Sequence, residues 1–321
     1  MKAIRRDAFG PPDVLELRDV DRPAPTDDGV LVRVHAASLN KSDWYDLVGR
    51  PWVARPMMGL RRPKSQAVGG DFAGTVEAVG RDVTDFKAGD EVFGVRSGAL
   101  AEYVNVINAV AAKPANLTFE EAAALPVAAL TALQGLRDKG NLQPGQKVLV
   151  NGASGGVGTF AVQIAKALGA EVTAVCSTRN VDRARELGAD RVVDYTREDF
   201  TRSGEQYDLL LDVAGTRSWR ATKRVLRRGG TLVIIGAPTG TRLLGPLSHI
   251  IRVKLAALGG GRTVVFFVAK LNREDLATLR ELCEAGKLRP FVERRYELAD
   301  AADAFRQLGT GHAQGKLVLE V

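Results

Sequence analysis

Between residues 147 and 235 the apolar positions come in short unbroken blocks, separated by stretches in which they recur every third or fourth residue. The blocks at 148–150, 171–175, 191–193, 208–212 and 231–235 predict strands covered on both faces, because a strand buried in a parallel sheet has no polar side to show. The intervening stretches predict helices at 160–168, 182–187 and 218–226. In the first of these, Val157, Phe160, Ala161, Ile164, Ala165 and Leu168 fall at helical spacing and Gly169 stops the helix. Strand and helix in regular alternation predict an α/β fold built on a doubly wound parallel sheet. A further strand is predicted at 264–268. Asn272 then caps a helix that runs to Ala285, with Gly286 as its stop.

The first third of the chain has another rhythm. Runs at 30–34, 75–79, 91–93 and 101–104 are short and rich in β-branched residues, and turn signals bound them at Asp28-Gly29, Gly80, Gly89-Asp90 and Ser97-Gly98. This spacing predicts a small β-barrel. The segment 50–64, with three prolines, Trp52 and two methionines, reads as a loop, either a linker or a flap over a pocket. The character changes at Leu117-Thr118. Thr118-x-x-Glu121 forms a capping box that opens an alanine-rich helical stretch through Arg137, interrupted at Pro126. Residues 316–321 return to strand character and are expected to pair back onto the first domain. The reading is one domain at 1–120, a second at 121–269, and a return to the first at 270–321.

Composition narrows the function classes. A chain of 321 residues has a soft prior of two domains, and 45% hydrophobic with 26% charged residues leaves ample core. Two cysteines, Cys176 and Cys283, make neither a disulfide framework nor a metal knuckle and suit a reducing cytosol. The N-terminus carries charge where a signal peptide needs an apolar run. The most apolar region, 243–271, is broken by Arg252, Lys254 and Arg262 and does not read as a membrane span. The net charge of +7 gathers at 50–64, with five basic residues and no acid, and at 217–228, where six basic residues fall on a predicted helix. Neither interleaves aromatics as a single-strand nucleic-acid binder would; the second reads as a solvated helix face. Attraction of a polyanionic cofactor is a sufficient alternative.

Such a cofactor has a place to bind. Between the strand at 148–150 and the helix after it lies Gly152-Ala-Ser-Gly-Gly-Val-Gly158, which contains Ala153-x-Gly155-x-x-Gly158. A strand, a turn of small residues and a helix form the context of a dinucleotide-binding fingerprint. Ala153, Ser154, Gly155, Gly156, Val157 and Gly158 are the candidate pyrophosphate contacts: the small residues make the turn and let backbone approach the phosphates, and the helix N-terminus offers N–H groups. Gly152-Ala-Ser154-Gly-Gly156 also matches the G-x-S-x-G elbow of serine hydrolases, which needs an acid and a histidine downstream; His249 and His312 are available, neither in a recognisable loop signature. After the second strand an NAD site expects Asp or Glu for the ribose hydroxyls. Cys176-Ser-Thr-Arg179 has none; Ser177 and Arg179 suit the 2′-phosphate of NADPH, and Tyr195, past the third strand, could flank the same phosphate or the adenine. Val213, Ala214, Gly215 and Gly236 follow the fourth and fifth strands, at the carboxyl ends where open α/β sheets bind ligands.

These motifs, with Ala37-Ser-Leu-Asn40, Gly70-Asp-Phe-Ala-Gly74, Val79-Gly80, Phe86-Lys-Ala-Gly-Asp-Glu-Val-Phe-Gly94, Ala101-Glu-Tyr103, Leu125-Pro126 and Gly315-Lys316, carry a family resemblance across nearly the whole chain. The chain resembles the medium-chain dehydrogenase/reductase superfamily, and within it the zinc-less quinone oxidoreductase (zeta-crystallin-like) branch. The resemblance implies a GroES-like β-barrel domain and a Rossmann domain with the substrate cleft between them. It implies that Asn40 and Tyr45, in Asn40-x-x-Asp43-x-Tyr45, line the nicotinamide end, Tyr45 as proton donor or as pocket wall. It also implies that Thr131 approaches the nicotinamide or phosphate side, and it carries over Phe267 and Lys316 as cofactor contacts. The superfamily's zinc alcohol dehydrogenases have a cysteine at the position of Asn40, a His-Glu pair at Gly70-Asp71, and four clustered cysteines for a structural zinc, so no metal is expected here. Without a Lewis acid, an electron-poor acceptor is the natural hydride sink. The resulting expectation is a cytosolic, zinc-independent NADPH oxidoreductase acting on a quinone or an α,β-unsaturated carbonyl, homodimeric through a sheet edge near 264–268, binding no nucleic acid and spanning no membrane. A biosynthetic enoyl reductase, a serine hydrolase using Ser154, a non-catalytic NADPH-binding protein and membrane association through 243–258 remain as alternatives.

Overall fold

Each of the two hydrophobic rhythms produces its own sheet in the computed structural model, which describes residues 1–236, 246–311 and 313–321. The chain divides into two units, Met1–Leu130 with Lys270–Val321, and Thr131–Ala269. Residues 243–245 of the membrane-association stretch, and His312, lie outside the described residues.

The first unit begins with an antiparallel hairpin, β1 (Lys2–Arg5) and β2 (Glu16–Asp19). It continues through β3 (Val30–Ser38), α1 (Lys41–Val48), α2 (Arg55–Met58), β4 (Asp71–Val79), β5 (Glu91–Val95), β6 (Tyr103–Val106) and β7 (Val110–Ala112). Val30, Val32 and Val34 project from alternate positions of β3 into a core with Phe72, Val76, Val92, Val104 and Val110. The strand expected at 101–104 is displaced. Ala101 only bridges Ala3, and the ladder with β3 runs from Tyr103 to Val106. The segment 50–64 is not wholly loop: Trp52–Ala54 forms a 3-10 turn and α2 follows, with Pro56 in its first turn, where a missing N–H does no harm. Thr118 and Glu121 exchange the predicted capping-box bonds at α3 (Phe119–Ala123), and α4 (Pro126–Gln134) restarts at the proline. A π-helical turn, Gly135–Lys139, follows in the second unit.

The second unit holds β8 (Lys147–Asn151), α5 (Gly156–Ala167), β9 (Glu171–Cys176), α6 (Val181–Glu186), β10 (Arg191–Asp194), β11 (Tyr207–Asp212), α7 (Trp219–Thr222), β12 (Leu226–Ile234), α8 (Pro246–Ala257) and β13 (Thr263–Phe266). The strands form one parallel sheet in the order β10-β9-β8-β11-β12-β13. That is the Rossmann order, with its switch point between β8 and β11. Two expectations fail at the edges of elements. The helix at 218–226 stops at Thr222, because Leu226 pairs with Tyr207 and is fully buried, and burial in a strand outweighs helical spacing. Arg227 and Arg228 therefore lie on β12, and the basic cluster at 217–228 is not one helix face. The strand at 264–268 ends at Phe266, where its partner β12 ends at Ile234, so Phe267 and Val268 leave the ladder.

The chain then returns to the first unit. Asn272 Oδ1 accepts from the Asp275 N–H and caps α9 (Arg273–Glu284). After β14 (Val292–Glu297) and α10 (Ala301–Gly309), β15 (Lys316–Glu320) pairs parallel with β14 and antiparallel with β3, setting Val318 opposite Ser38. The resulting sheet runs β14-β15-β3-β4-β5-β7, with β6 also on β3. β15 thereby carries Lys316 to the end of β3 that leads into Asn40. Among the described residues no helix is long and apolar enough to cross a membrane.

Candidate functional site

The glycine turn is tied down by its own backbone. The N–H groups of Gly152 and Ala153 donate to the Val175 carbonyl at 3.2 and 3.0 Å, which fixes the turn against the end of β9. Gly155 caps α5, and the first N–H groups of the helix, on Gly156, Val157 and Gly158, have no intrahelical acceptor. A Cβ on Gly158 would lie 2.1 Å from the Gly152 carbonyl oxygen, so only glycine lets the helix approach the turn this closely. Gly155 differs: a Cβ there would meet nothing nearer than 3.8 Å. The protein itself does not demand glycine at this position, and the bare backbone suits a ligand that approaches closely, as a pyrophosphate does. Ser154, partly exposed in the turn, makes no hydrogen bond to an imidazole among the described residues. His35 bonds Thr75 Oγ1, and burial lowers the pKa of His249, on α8.

At the switch point Asp212 holds the ends of β8 and β11 together. Its Oδ1 accepts from Asn151 Nδ2 at 2.7 Å and from the Gly215 N–H at 2.8 Å. The Val213 and Ala214 N–H groups donate to the Asn151 carbonyl at 2.9 and 3.1 Å, and those of Ile235 and Gly236 donate to the Asp212 carbonyl. Val213, Ala214, Gly215 and Gly236 are thus brought together at the carboxyl end of the sheet's central strands. Asp212 is 2% exposed, and burial pushes its carboxyl up to about 6. The sequence reading found the loop but missed the two polar residues that shape it. Their signal was a polar residue closing each apolar block. Phe267, just past β13, lies beside Gly135, with Lys139 Nζ 5.9 Å from its ring centroid; Thr131 is partly buried on α4.

Ser177, Arg179 and Tyr195 meet at a second corner. Ser177 opens a 3-10 turn, Thr178–Asn180, and its Oγ accepts from Asn180 Nδ2 at 3.1 Å. The Tyr195 N–H donates to the Cys176 carbonyl at 3.0 Å, which sets its backbone beside the end of β9, and its side chain is half-exposed. Arg179 is exposed in the turn. The corner does contain a carboxylate, contrary to the reading of β9 alone: Asp194, supplied by β10. Its oxygens are engaged, accepting from Thr178 Oγ1 at 2.6 Å and Thr196 Oγ1 at 2.7 Å, and the Thr178 bond leads in holding its pKa down.

In the first unit Asn40 closes β3 and caps α1, and its backbone N–H donates to Asp43 Oδ2 at 2.7 Å. Asn40 Nδ2 donates to Asp71 Oδ2 at 2.8 Å, and Lys316 Nζ donates to Asn40 Oδ1 at 2.6 Å and to Asp71 Oδ2 at 3.2 Å. Ser38 Oγ donates to the Ala123 carbonyl at 2.8 Å and lies 3.2 Å from Asp71 Oδ2, and the Val127 N–H donates to Asp71 Oδ1. Lys316 and Asp71 are fully buried. The ammonium that the family resemblance carried over as a cofactor contact is therefore engaged inside the protein. Burial pushes Asp43 up to about 7 and raises the pKa of the Tyr45 phenol. These donors do not suit zinc: both Asp71 oxygens are committed, Asn40 Oδ1 already faces a cation, and among the described residues no group of three His, Cys, Asp or Glu is placed to hold a metal ion.

Comparison with known proteins agrees with this architecture. Residues 26–115 match the family model described as an alcohol dehydrogenase GroES-like domain, and residues 187–319 match the one described as a zinc-binding dehydrogenase. The chain is 32% identical to quinone-oxidoreductase QR1, chloroplastic, of Triphysaria versicolor, an alignment covering 100% of this chain and 98% of the relative. It is 34% identical to the 2-methylene-furan-3-one reductase of Solanum lycopersicum, covering 99% and 79%. The crystal structure of Escherichia coli quinone oxidoreductase complexed with NADPH superposes with a TM-score of 0.84 at 28% identity, covering all of both chains. A nicotinamide-dependent oxidoreductase follows from these relatives, and the chain belongs to the medium-chain dehydrogenase/reductase superfamily, in its quinone oxidoreductase branch.

Proposed function

We propose that this protein is a zinc-independent reductase that uses NADPH to reduce a quinone or an α,β-unsaturated carbonyl. The observation that carries the reading is the bare backbone at Gly155, beside the unsatisfied N–H groups of α5 and next to the switch point of the sheet. In this reading the N–H groups of Gly156, Val157 and Gly158 face the pyrophosphate, with Ala153 and Ser154 lining the turn. Asp212 holds Val213, Ala214 and Gly215 beside Gly236. Ser177 and Arg179 take the 2′-phosphate beside Tyr195; Asp194 is already occupied by threonine hydroxyls and does not claim the ribose. Thr131 and Phe267 serve the nicotinamide half. Bound NADPH supplies the hydride.

On the acceptor side, Asn40 and Tyr45 are the residues assigned to the carbonyl oxygen. The raised pKa of the Tyr45 phenol keeps it protonated at neutral pH, able to donate a hydrogen bond, while solvent can deliver the final proton. No Lewis acid fits the donors around Asn40, which favours acceptors already poor in electrons. The enone arm finds support in the tomato relative, whose name is that of a furanone reductase. The hydrolase alternative has no support, because Ser154 lacks a base among the described residues. Two buried free thiols suit a reducing compartment such as the cytosol, and the sheet edge at β13 suits a homodimer.

The test is NADPH oxidation against quinones, enones and simple aldehydes, with elemental analysis of the active protein. Turnover of quinones or enones without stoichiometric zinc is expected. Zinc-dependent turnover of aldehydes, or no NADPH binding at all, would overturn the reading.

A further inference from the structure

An asparagine amide in a site is ambiguous: rotated by half a turn about its last torsion, it exchanges a donor for an acceptor at almost no steric cost. At Asn40 the structure removes the ambiguity. Lys316 Nζ, 2.6 Å from Oδ1, carries only donors. Asp71 Oδ2, 2.8 Å from Nδ2, is an acceptor when ionised. Rotating the amide would set an N–H against the ammonium and an oxygen against the carboxylate. Both charged groups are buried, 2% and 0% exposed, so solvent cannot soften either clash. The pair is itself held: the Val127 N–H donates to Asp71 Oδ1, and Lys316 opens β15, which is paired with β3. Asn40 Nδ2 has two hydrogens and Asp71 takes one. Among the described residues the second has no partner, and Asn40 retains 9% exposure.

We infer that Lys316, with Asp71, is a positioning residue: the buried ion pair locks the Asn40 amide so that its second N–H is always presented outward as a donor to the carbonyl oxygen of the acceptor. The inference rests on the proposed reading that Asn40 serves the acceptor. It explains why a buried charge pair, which hydrophobic residues could often replace without loss of stability, stands here. An ammonium and a carboxylate define the two ends of an amide in a way that no apolar pair can.

The test separates positioning from folding by a double-mutant cycle. Lys316→Met alone leaves Asp71 unpaired and is expected to unfold part of the population. The working variant is therefore Lys316→Met with Asp71→Asn, which removes both charges together. It is compared with the parent in chains that carry either Asn40 or Asn40→Ala. With Asn40 present, neutralising the pair should lower kcat for the quinone or enone about tenfold or more, with NADPH affinity, read by fluorescence, within about threefold. In the Asn40→Ala chain the same neutralisation should change kcat less than twofold. An equal loss in both backgrounds would show that the pair acts on the fold and not through Asn40, and no loss in the Asn40 chain would dismiss the lock. A second measurement needs no charge variant. The Asn40 side-chain amide signals, assigned by their disappearance in Asn40→Ala, should include one proton protected from exchange and one that is not, and only the unprotected one should shift when a non-reducible acceptor analogue binds the NADP⁺ complex. Movement of both protons or of neither overturns the inference. Loss of NADPH binding by the unsubstituted protein would instead refute the proposed function itself.

Discussion

Asp212→Asn gives a direct test of the electrostatics at the switch point. Asp212 is nearly inaccessible, its Oδ1 accepts from Asn151 Nδ2 and the Gly215 N–H, and burial outweighs both bonds and raises its carboxyl from 3.8 to about 6. The folded chain therefore holds a proton that the unfolded chain releases. Below about pH 3.8 both states are protonated and nothing is lost. Stability falls as pH rises through the window from 3.8 to about 6, and above it the whole penalty of a buried anion is present. A window of about two pH units at ~1.4 kcal/mol each corresponds to about 3 kcal/mol. Asparagine keeps an oxygen for the same two donors but does not titrate. Any pH-independent cost of the amide therefore cancels when the difference between variant and parent is followed with pH. Trp219, buried in the second unit, reports that unit once Trp44 and Trp52 are replaced by phenylalanine. Urea titrations of parent and variant from pH 4 to pH 7 should show the variant gaining about 3 kcal/mol relative to the parent across that range, and the gain should level off above pH 6. A difference that stays constant with pH, or one that moves against the variant as pH rises, would refute the account of Asp212 as a buried carboxylate ionised at a cost.

Three further outcomes follow from the cofactor sites and the turn. Arg179→Ala should weaken NADPH binding by roughly 1.5–3 kcal/mol, the worth of a charge-assisted contact, and leave NADH binding within about twofold, measured by fluorescence titration; equal losses for both nucleotides would remove the basis for a 2′-phosphate site. Gly158→Ala forces a Cβ to within 2.1 Å of the Gly152 carbonyl, so the helix must shift; overpacking of this kind costs roughly 1–3 kcal/mol, and both the unfolding midpoint of the second unit and NADPH affinity should fall. Gly155→Ala, where the nearest protein atom is 3.8 Å away, should leave stability nearly unchanged and lower NADPH affinity alone. If the two glycine variants behave alike in thermal denaturation and cofactor titration, the distinction drawn between a packing glycine and a ligand-approach glycine is wrong.

What could be read from the chain alone was whatever has a local spacing. The apolar blocks and the helical periodicity between them announced the parallel sheet. Thr118 with Glu121, Asn272 with its helix, and the small residues from Gly152 to Gly158 each place donor and acceptor, or turn and helix, within a few residues of one another, so their geometry follows from the order of the residues. Where elements begin and end was decided by partners far along the chain. Leu226 joins a strand because Tyr207 is beside it, and β13 stops at Phe266 because β12 supplies no further partner. The chemistry of Asn40 was hidden for the same reason. Its amide is oriented by Asp71, 31 residues away, and by Lys316, 276 residues away. The family resemblance drew Asn40 and Lys316 to the cofactor, but no local spacing shows that either bonds Asp71. They meet because β15 pairs with β3, and a buried ammonium is stable only where the fold gives it a carboxylate and an amide oxygen to hold.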